Sequence, residues 1–186
     1  MDRELQHARK IIEKYYDKDA DSYHVLISHS QAVRDKALQI AKKINGAHID
    51  LELLSKGALL HDIGIYLTDA PEIGCFGKLP YVAHGYLGGE ILRKEGFARE
   101  AFICERHVGS GISKKEIKEK NLPFPFRDMV PLTPEEEIVC LADKFFKKSE
   151  KDLCKERSIE EMKEEVGKHG QENLERLEKM LERYYF

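Results

Sequence analysis

The chain has 186 residues, enough for one domain with a sizeable core, and 31 Lys and Arg against 34 Asp and Glu leave a formal charge of -3. No basic block tracks a nucleic-acid backbone, so duplex nucleic acid is not an expected partner. No apolar stretch approaches the roughly 20 residues that span a bilayer, which excludes a membrane-spanning helix.

The chain opens with MDRELQHARKIIEKYY, charged where a signal peptide needs an apolar segment. Its four cysteines, Cys75, Cys104, Cys140 and Cys154, are widely spaced and form no CxxC pair. A cytoplasmic location with reduced thiols is the expectation. Periodicity predicts helix almost throughout, and no run alternates apolar and polar residues long enough for a sheet. The fold class expected is therefore all-α.

In HSQAVRDKALQIAKKI, residues His29, Val33, Ala37, Ile40 and Ile44 form one helical face that ends near Asn45-Gly46, so His29 points inward. Asp50 caps a second helix, LELLSKGALLHDIG, on which Leu54, Ala58, His61 and Ile65 share a face and Asp62 lies beside it. After a Gly/Pro-bearing loop, VAHGYLGGEILRKEG places His84 at a helix start in line with Leu87 and Ile91. AREAFICERHVGSG follows, with His107 one turn after Ile103.

NLPFPFRDMVPLTP, which holds most of the prolines, reads as a loop and a candidate lid. In the next helix, EEEIVCLADKFF, residues Val139, Asp143 and Phe146 share a face. From about residue 158 to 185 the sequence predicts one long amphipathic helix, opened by a Ser158/Glu161 capping box and striped by Ile159, Met162, Val166, Leu174, Leu177, Leu181 and Tyr184. No repeat or low-complexity segment interrupts this order, so a single domain over residues 1–186 is expected.

Six polar residues thus face inward or stand at helix ends: His29, His61, Asp62, His84, His107 and Asp143. Singly, each has an ordinary explanation as a hydrogen-bonded core residue or a cap. Together they are expensive, because every buried polar group left without a partner forfeits its hydration. A shared cation removes that cost, and a mixed imidazole and carboxylate set suits Fe, Mn, Zn or Co better than Mg or Ca.

The ordered pattern of a lone His, then His-Asp in LLHDIG, two isolated histidines and finally ADK resembles the HD-domain superfamily of metal-dependent phosphohydrolases over roughly residues 24–147. The resemblance implies an HD-domain helical bundle in which His29, His61, Asp62 and Asp143 hold a first metal. His84 and His107 would take a second, with Asp62 bridging the two. AHGYLGGEIL and RHVGSG are also similar, over short stretches, to the diadenosine tetraphosphate hydrolase subgroup. The GYP motif of cyclic-di-GMP phosphodiesterases is absent, Ile65 and Tyr66 supply no Lys after HDIG, and position 66 is not the Glu of some single-metal nucleotidases.

The implied activity is hydrolysis of a phosphate ester or anhydride in a nucleotide or dinucleotide. Two divalent ions would activate a water and clamp the phosphate. His61 and Asp62 would stand at the reaction centre, and Arg106 and Lys144, each beside a ligand, are candidates for the remaining phosphate charge. Lys114 and Lys115 are weaker candidates, and Tyr15, Tyr16, Tyr184 and Tyr185 fit helix packing better than base stacking. The expected partner is a small phosphorylated substrate, and a homodimer is compatible with the sequence. Two other readings stay open: a di-iron oxygenase with the same six ligands, and a non-catalytic regulatory module.

Overall fold

The computed structural model describes residues 3–44, 48–148 and 155–186. Among these residues the chain is a helical bundle, with α1 over Arg3–Ile12, α2 over Asp21–Lys43 and α3 over Leu51–Leu60. They are followed by α4 over His84–Lys94, α5 over Ala98–Arg106, α6 over Lys114–Glu119, α7 over Pro134–Lys144, α8 over Ile159–Gly167 and α9 over Gln171–Tyr184. No helix among the described residues is long and apolar enough to cross a membrane.

The sequence signals act where the chemistry requires. The Asp50 side chain accepts from the Leu53 amide at 3.0 Å and caps α3. Thr133 caps α7, and Pro134 occupies its first turn, where a missing amide proton costs nothing. The predicted end of the second helix at Asn45-Gly46 lies outside the described residues, and so does Cys154. The other three cysteines are free and buried.

Two features differ from the sequence expectation. Between α3 and α4 the chain forms a small three-stranded sheet, β1 (Thr68–Ala70) antiparallel to β2 (Cys75–Phe76) and parallel to β3 (Leu79–Pro80). Strands of two or three residues are too short to leave an alternating pattern. The single C-terminal helix is instead two, because the chain reverses at Gly170, whose φ of 127° is open to glycine and strained for other residues. The Ser158/Glu161 capping box is present on α8. The predicted stripe is divided: Met162 and Val166 of α8 and Leu177, Leu181 and Tyr184 of α9 enter the same core, while Leu174 is only partly buried.

The bundle has two main apolar cores. One joins the C-terminal half of α2 to α3, α7, α8 and α9, and the other joins α1, the N-terminal half of α2, the end of α3, the small sheet, α4 and α5. The polar residues fall at the seam. On α2, His29 lies between Leu26 and Ile27 of the second core and Val33 of the first; Ala58 of the first core and then Leu59 and Leu60 of the second precede His61.

Close backbone approach fixes the seam. A Cβ on Gly64 would stand 2.3 Å from the carbonyl oxygen of His84 and 2.5 Å from the amide nitrogen of Gly88, so the turn after α3 rests directly on the first turns of α4. Because the obstacle is backbone, it cannot swing aside. Gly64→Ala should therefore cost about 3 kcal/mol and lower the thermal midpoint by roughly 10 °C, measured by calorimetry; an unchanged midpoint would contradict this packing.

A buried polar network ties α9 to the segment after α5. Ser110 Oγ donates to the Asn173 carbonyl at 2.8 Å, and Glu116 accepts from the Asn173 amide at 2.6 Å, Arg176 at 2.8 Å and the Ser113 amide at 3.0 Å. Burial pushes the Glu116 carboxyl up, but these donors outweigh it and hold it down at about 2. Because the folded value is depressed, the stabilisation is complete above the unfolded value of 4.5 and is lost as pH falls toward 2. Thermal scans from pH 5 to pH 2.5 should show the midpoint gap between wild type and Glu116→Gln narrowing as the pH is lowered; a constant gap would mean that this carboxylate is not held ionised.

Candidate metal centre

Five helices and their ends deliver the inward-facing residues to one place. His29 comes from the middle of α2, His61 and Asp62 from the end of α3, His84 from the first residue of α4, His107 from the residue after α5 and Asp143 from the last turn of α7. His29, His61 and Asp62 are wholly buried, and the other three are at most 5% exposed.

Three of the histidines share one device. The Nδ1 of His61 donates to the Ala58 carbonyl at 2.7 Å, that of His84 to Tyr81 at 2.6 Å and that of His107 to Cys104 at 2.7 Å, each three residues back. Each ring folds back on a carbonyl one turn earlier in the chain. With the proton fixed on Nδ1, Nε2 presents a bare lone pair toward the centre. The 3.0 Å approach of His84 Nε2 to His107 Nε2 is therefore a meeting of two acceptors, which demands a cation.

Asp62 divides the centre in two. Its Oδ2 lies 3.4 Å from His29 Nε2 and 3.2 Å from His61 Nε2, while its Oδ1 lies 3.2 Å from His84 Nε2 and 3.3 Å from His107 Nε2. Asp143 Oδ1 closes the first group, 2.9 Å from His29 Nε2 and 3.5 Å from His61 Nε2. The donor atoms of His29, His61, Asp62 and Asp143 all fall within 4.8 Å of one another, as do those of Asp62, His84 and His107.

These spacings fit metal coordination. Donors bound at about 2.1 Å and at tetrahedral or octahedral angles stand roughly 3.0 to 3.4 Å apart, close to the 2.9 to 3.5 Å seen here. Both oxygens of Asp62 and the Nε2 of His61 are buried without a hydrogen-bond partner among the described residues. The residues therefore fit divalent metal coordination, and Asp62 belongs to both groups.

Charge explains why such a cage needs cations. Burial drives His29 down to about 4 and His107 down to about 3, so both stay neutral ligands. Burial also opposes a charge on His61, but Asp62 and Asp143 outweigh it and push that group up to about 9, so that a proton sits on Nε2 where a metal cation would take its place. Burial would raise both carboxyls; His61 and Lys148 outweigh it for Asp62, and Lys144 and Lys148 do so for Asp143, holding them well below the usual carboxylate range. Anions so deeply buried persist only beside positive charge.

The centre opens on a cavity of about 760 Å³ with apolar walls that include Val82, Ile112, Phe146 and Val166. Lys144 lines it, with Nζ donating to Asp143 Oδ2 at 2.6 Å. Arg106 does not face the cavity. Its guanidinium donates twice to Glu136, at 2.8 and 2.9 Å, and stacks on the Phe102 ring, so it is engaged away from the cavity where a phosphate contact was expected of it.

Lys114 and Lys115 are not on the cavity wall, and Lys115 pairs with Glu172. The four tyrosines are packed into or against the cores, Tyr16 donating to the Ile63 carbonyl at 2.9 Å. The candidate lid is pinned: Ile112 and Met129 exchange both backbone hydrogen bonds at 2.8 Å, and Arg127 pairs with buried Glu105. The sequence reading missed Lys148, whose Nζ lies 2.9 Å from Asp62 Oδ2 and 3.6 Å from Asp143 Oδ1. It also missed Tyr81, whose ring packs 4.5 Å from that of His84.

Comparison with known proteins agrees with this geometry. A family model described as HD domain matches residues 26–147, a span that holds all six clustered residues. An uncharacterised protein of Methanocaldococcus jannaschii is 41% identical over 121 residues, covering 63% of this chain and 64% of that protein. Two proteins named tRNA (cytidine(56)-2'-O)-methyltransferase are similar as well. That of Thermoplasma volcanium is 34% identical over 84% of this chain and 41% of its own length, and that of Picrophilus torridus is 35% identical over 68% and 33%.

The chain thus spans less than two thirds of each of these relatives. Among solved structures, the HD domain of the L. monocytogenes phosphodiesterase PgpH aligns over 97% of this chain and 96% of its own with a TM-score of 0.45 and 16% identity. The ordered ligands and the family match together place the chain in the HD-domain family, within the superfamily of metal-dependent phosphohydrolases.

Proposed function

We propose that this chain hydrolyses a phosphate ester or anhydride of a small phosphorylated substrate, a nucleotide or dinucleotide, at a two-metal centre. The observation that carries the reading is the division of Asp62, one oxygen toward each histidine group. Divalent cations bound there would supply an activated water and a clamp on phosphate oxygens.

The chain's own contribution is orientation and dryness. Backbone carbonyls hold the lone pairs of three histidines toward the centre, the two apolar cores exclude water from behind, and Lys144 neutralises the outer oxygen of Asp143. The apolar wall beside basic groups suits a substrate with an organic moiety and a polyanionic end. The methyltransferase name of two relatives is not carried over, since the matched stretch is less than half of each of those proteins.

Freshly purified protein should contain Fe, Mn, Co or Zn by elemental analysis and release phosphate from nucleotides or dinucleoside polyphosphates when supplied with Mn, Co or Fe. Turnover without O₂ separates this reading from a di-iron oxygenase. Asp62→Ala should lower the metal content and slow hydrolysis by about 10³-fold or more, corresponding to about 4 kcal/mol of lost transition-state stabilisation. Undiminished turnover in that variant would mean that the reaction centre lies elsewhere.

His84→Ala and His107→Ala should each retain close to one ion per chain and lose most of their activity, because the remaining ion can hold only one side of the phosphate. Wild-type protein with one ion at saturating metal, together with two fully active variants, would reduce the centre to a mononuclear one.

A further inference from the structure

Lys148 stands where a substrate would first meet the centre. It lies five residues past Asp143, beyond the end of α7, and its side chain is 15% exposed while that of Asp62 is wholly covered. Its ammonium therefore forms the cavity-side face of the ligand cage. Lys144 on the same wall has its Nζ already committed to the outer oxygen of Asp143.

Among the described residues Lys148 meets two carboxylates and the Tyr81 side chain. An ammonium carries three protons. Around it are Asp62 Oδ2 at 2.9 Å, Asp143 Oδ1 at 3.6 Å and the face of the Tyr81 ring at 5.9 Å. The ammonium is held to Asp62 chiefly by charge, and among the described residues no donor is aimed squarely at either oxygen of that carboxylate. A carboxylate oxygen has two lone pairs, so Oδ2 can serve a cation on one side and keep the ammonium on the other. A neutral core residue would tolerate this site poorly, whereas a cation is held there by two buried anions.

We propose that Lys148 is the substrate-binding residue that grips a non-bridging oxygen of the phosphate presented to the metal centre, the place assigned to Arg106 by sequence adjacency alone. The assignment rests on the phosphohydrolase reading above. It asks nothing of the bond-breaking step: the ammonium donates a charge-assisted hydrogen bond to phosphate, and the geometry at Asp62 positions it.

The test uses the full chain loaded with manganese and inorganic phosphate as the probe, with manganese content by elemental analysis and phosphate affinity by isothermal titration. Lys148→Met should keep the wild-type manganese content and bind phosphate about 10- to 100-fold more weakly, the value of one hydrogen bond to a charged partner, and Lys148→Arg should recover most of the loss. Equal phosphate affinity in wild type and Lys148→Met at equal manganese content would overturn the assignment and leave the phosphohydrolase reading intact. Loss of manganese from both variants would make Lys148 a support of the cage and would overturn it too. Wild-type protein that holds two manganese ions but binds no phosphate would contradict the phosphohydrolase reading itself, and this inference with it.

Discussion

The structure depends on one buried carboxylate. Asp62 has no solvent contact, and its two oxygens face two groups of histidine nitrogens at 3.2 to 3.4 Å. An anion in that position is costly unless positive charge meets both sides. Much of the surrounding architecture can be read as provision for it: the seam between two apolar cores, the three histidines turned by backbone carbonyls, and the ammonium groups of Lys144 and Lys148 on the cavity side.

Rigidity behind the site comes from backbone contact more than from side chains. Gly64, two residues past Asp62, lets the turn touch the start of α4, which carries His84. Gly88 does the same one turn later, where a Cβ would lie 2.4 Å from Cys104 Sγ. That thiol donates to the His61 carbonyl at 2.9 Å and lies on the helix that delivers His107. Three of the ligand-bearing segments are thereby locked at fixed separation, which a shared metal centre requires.

Much of this was legible in the sequence, for physical reasons. Helical periodicity turns His29 inward without any knowledge of partners, and HDIG combines a ligand pair with the glycine that close packing demands. The ordered set of histidines and aspartates identifies the family because such a set is unaffordable in a core without cations. The C-terminal reversal was less legible: Gly170 offers a break, but an apolar stripe continues across it and reads as one helix. Arg106 was assigned by its neighbour in the chain, whereas side chains adjacent on a helix point in different directions, and this one is held by Glu136. Lys148 lies past the helix end, where no period relates it to Asp143, and the run FFKK gives no hint that one lysine turns inward.

Electron paramagnetic resonance of the protein loaded with two equivalents of manganese tests the shared role of Asp62 most directly. The account predicts the signal of an exchange-coupled manganese pair, replaced in Asp62→Asn by that of isolated ions. A wild-type spectrum of isolated manganese at full loading would contradict a carboxylate bridge and, with it, the two-metal centre.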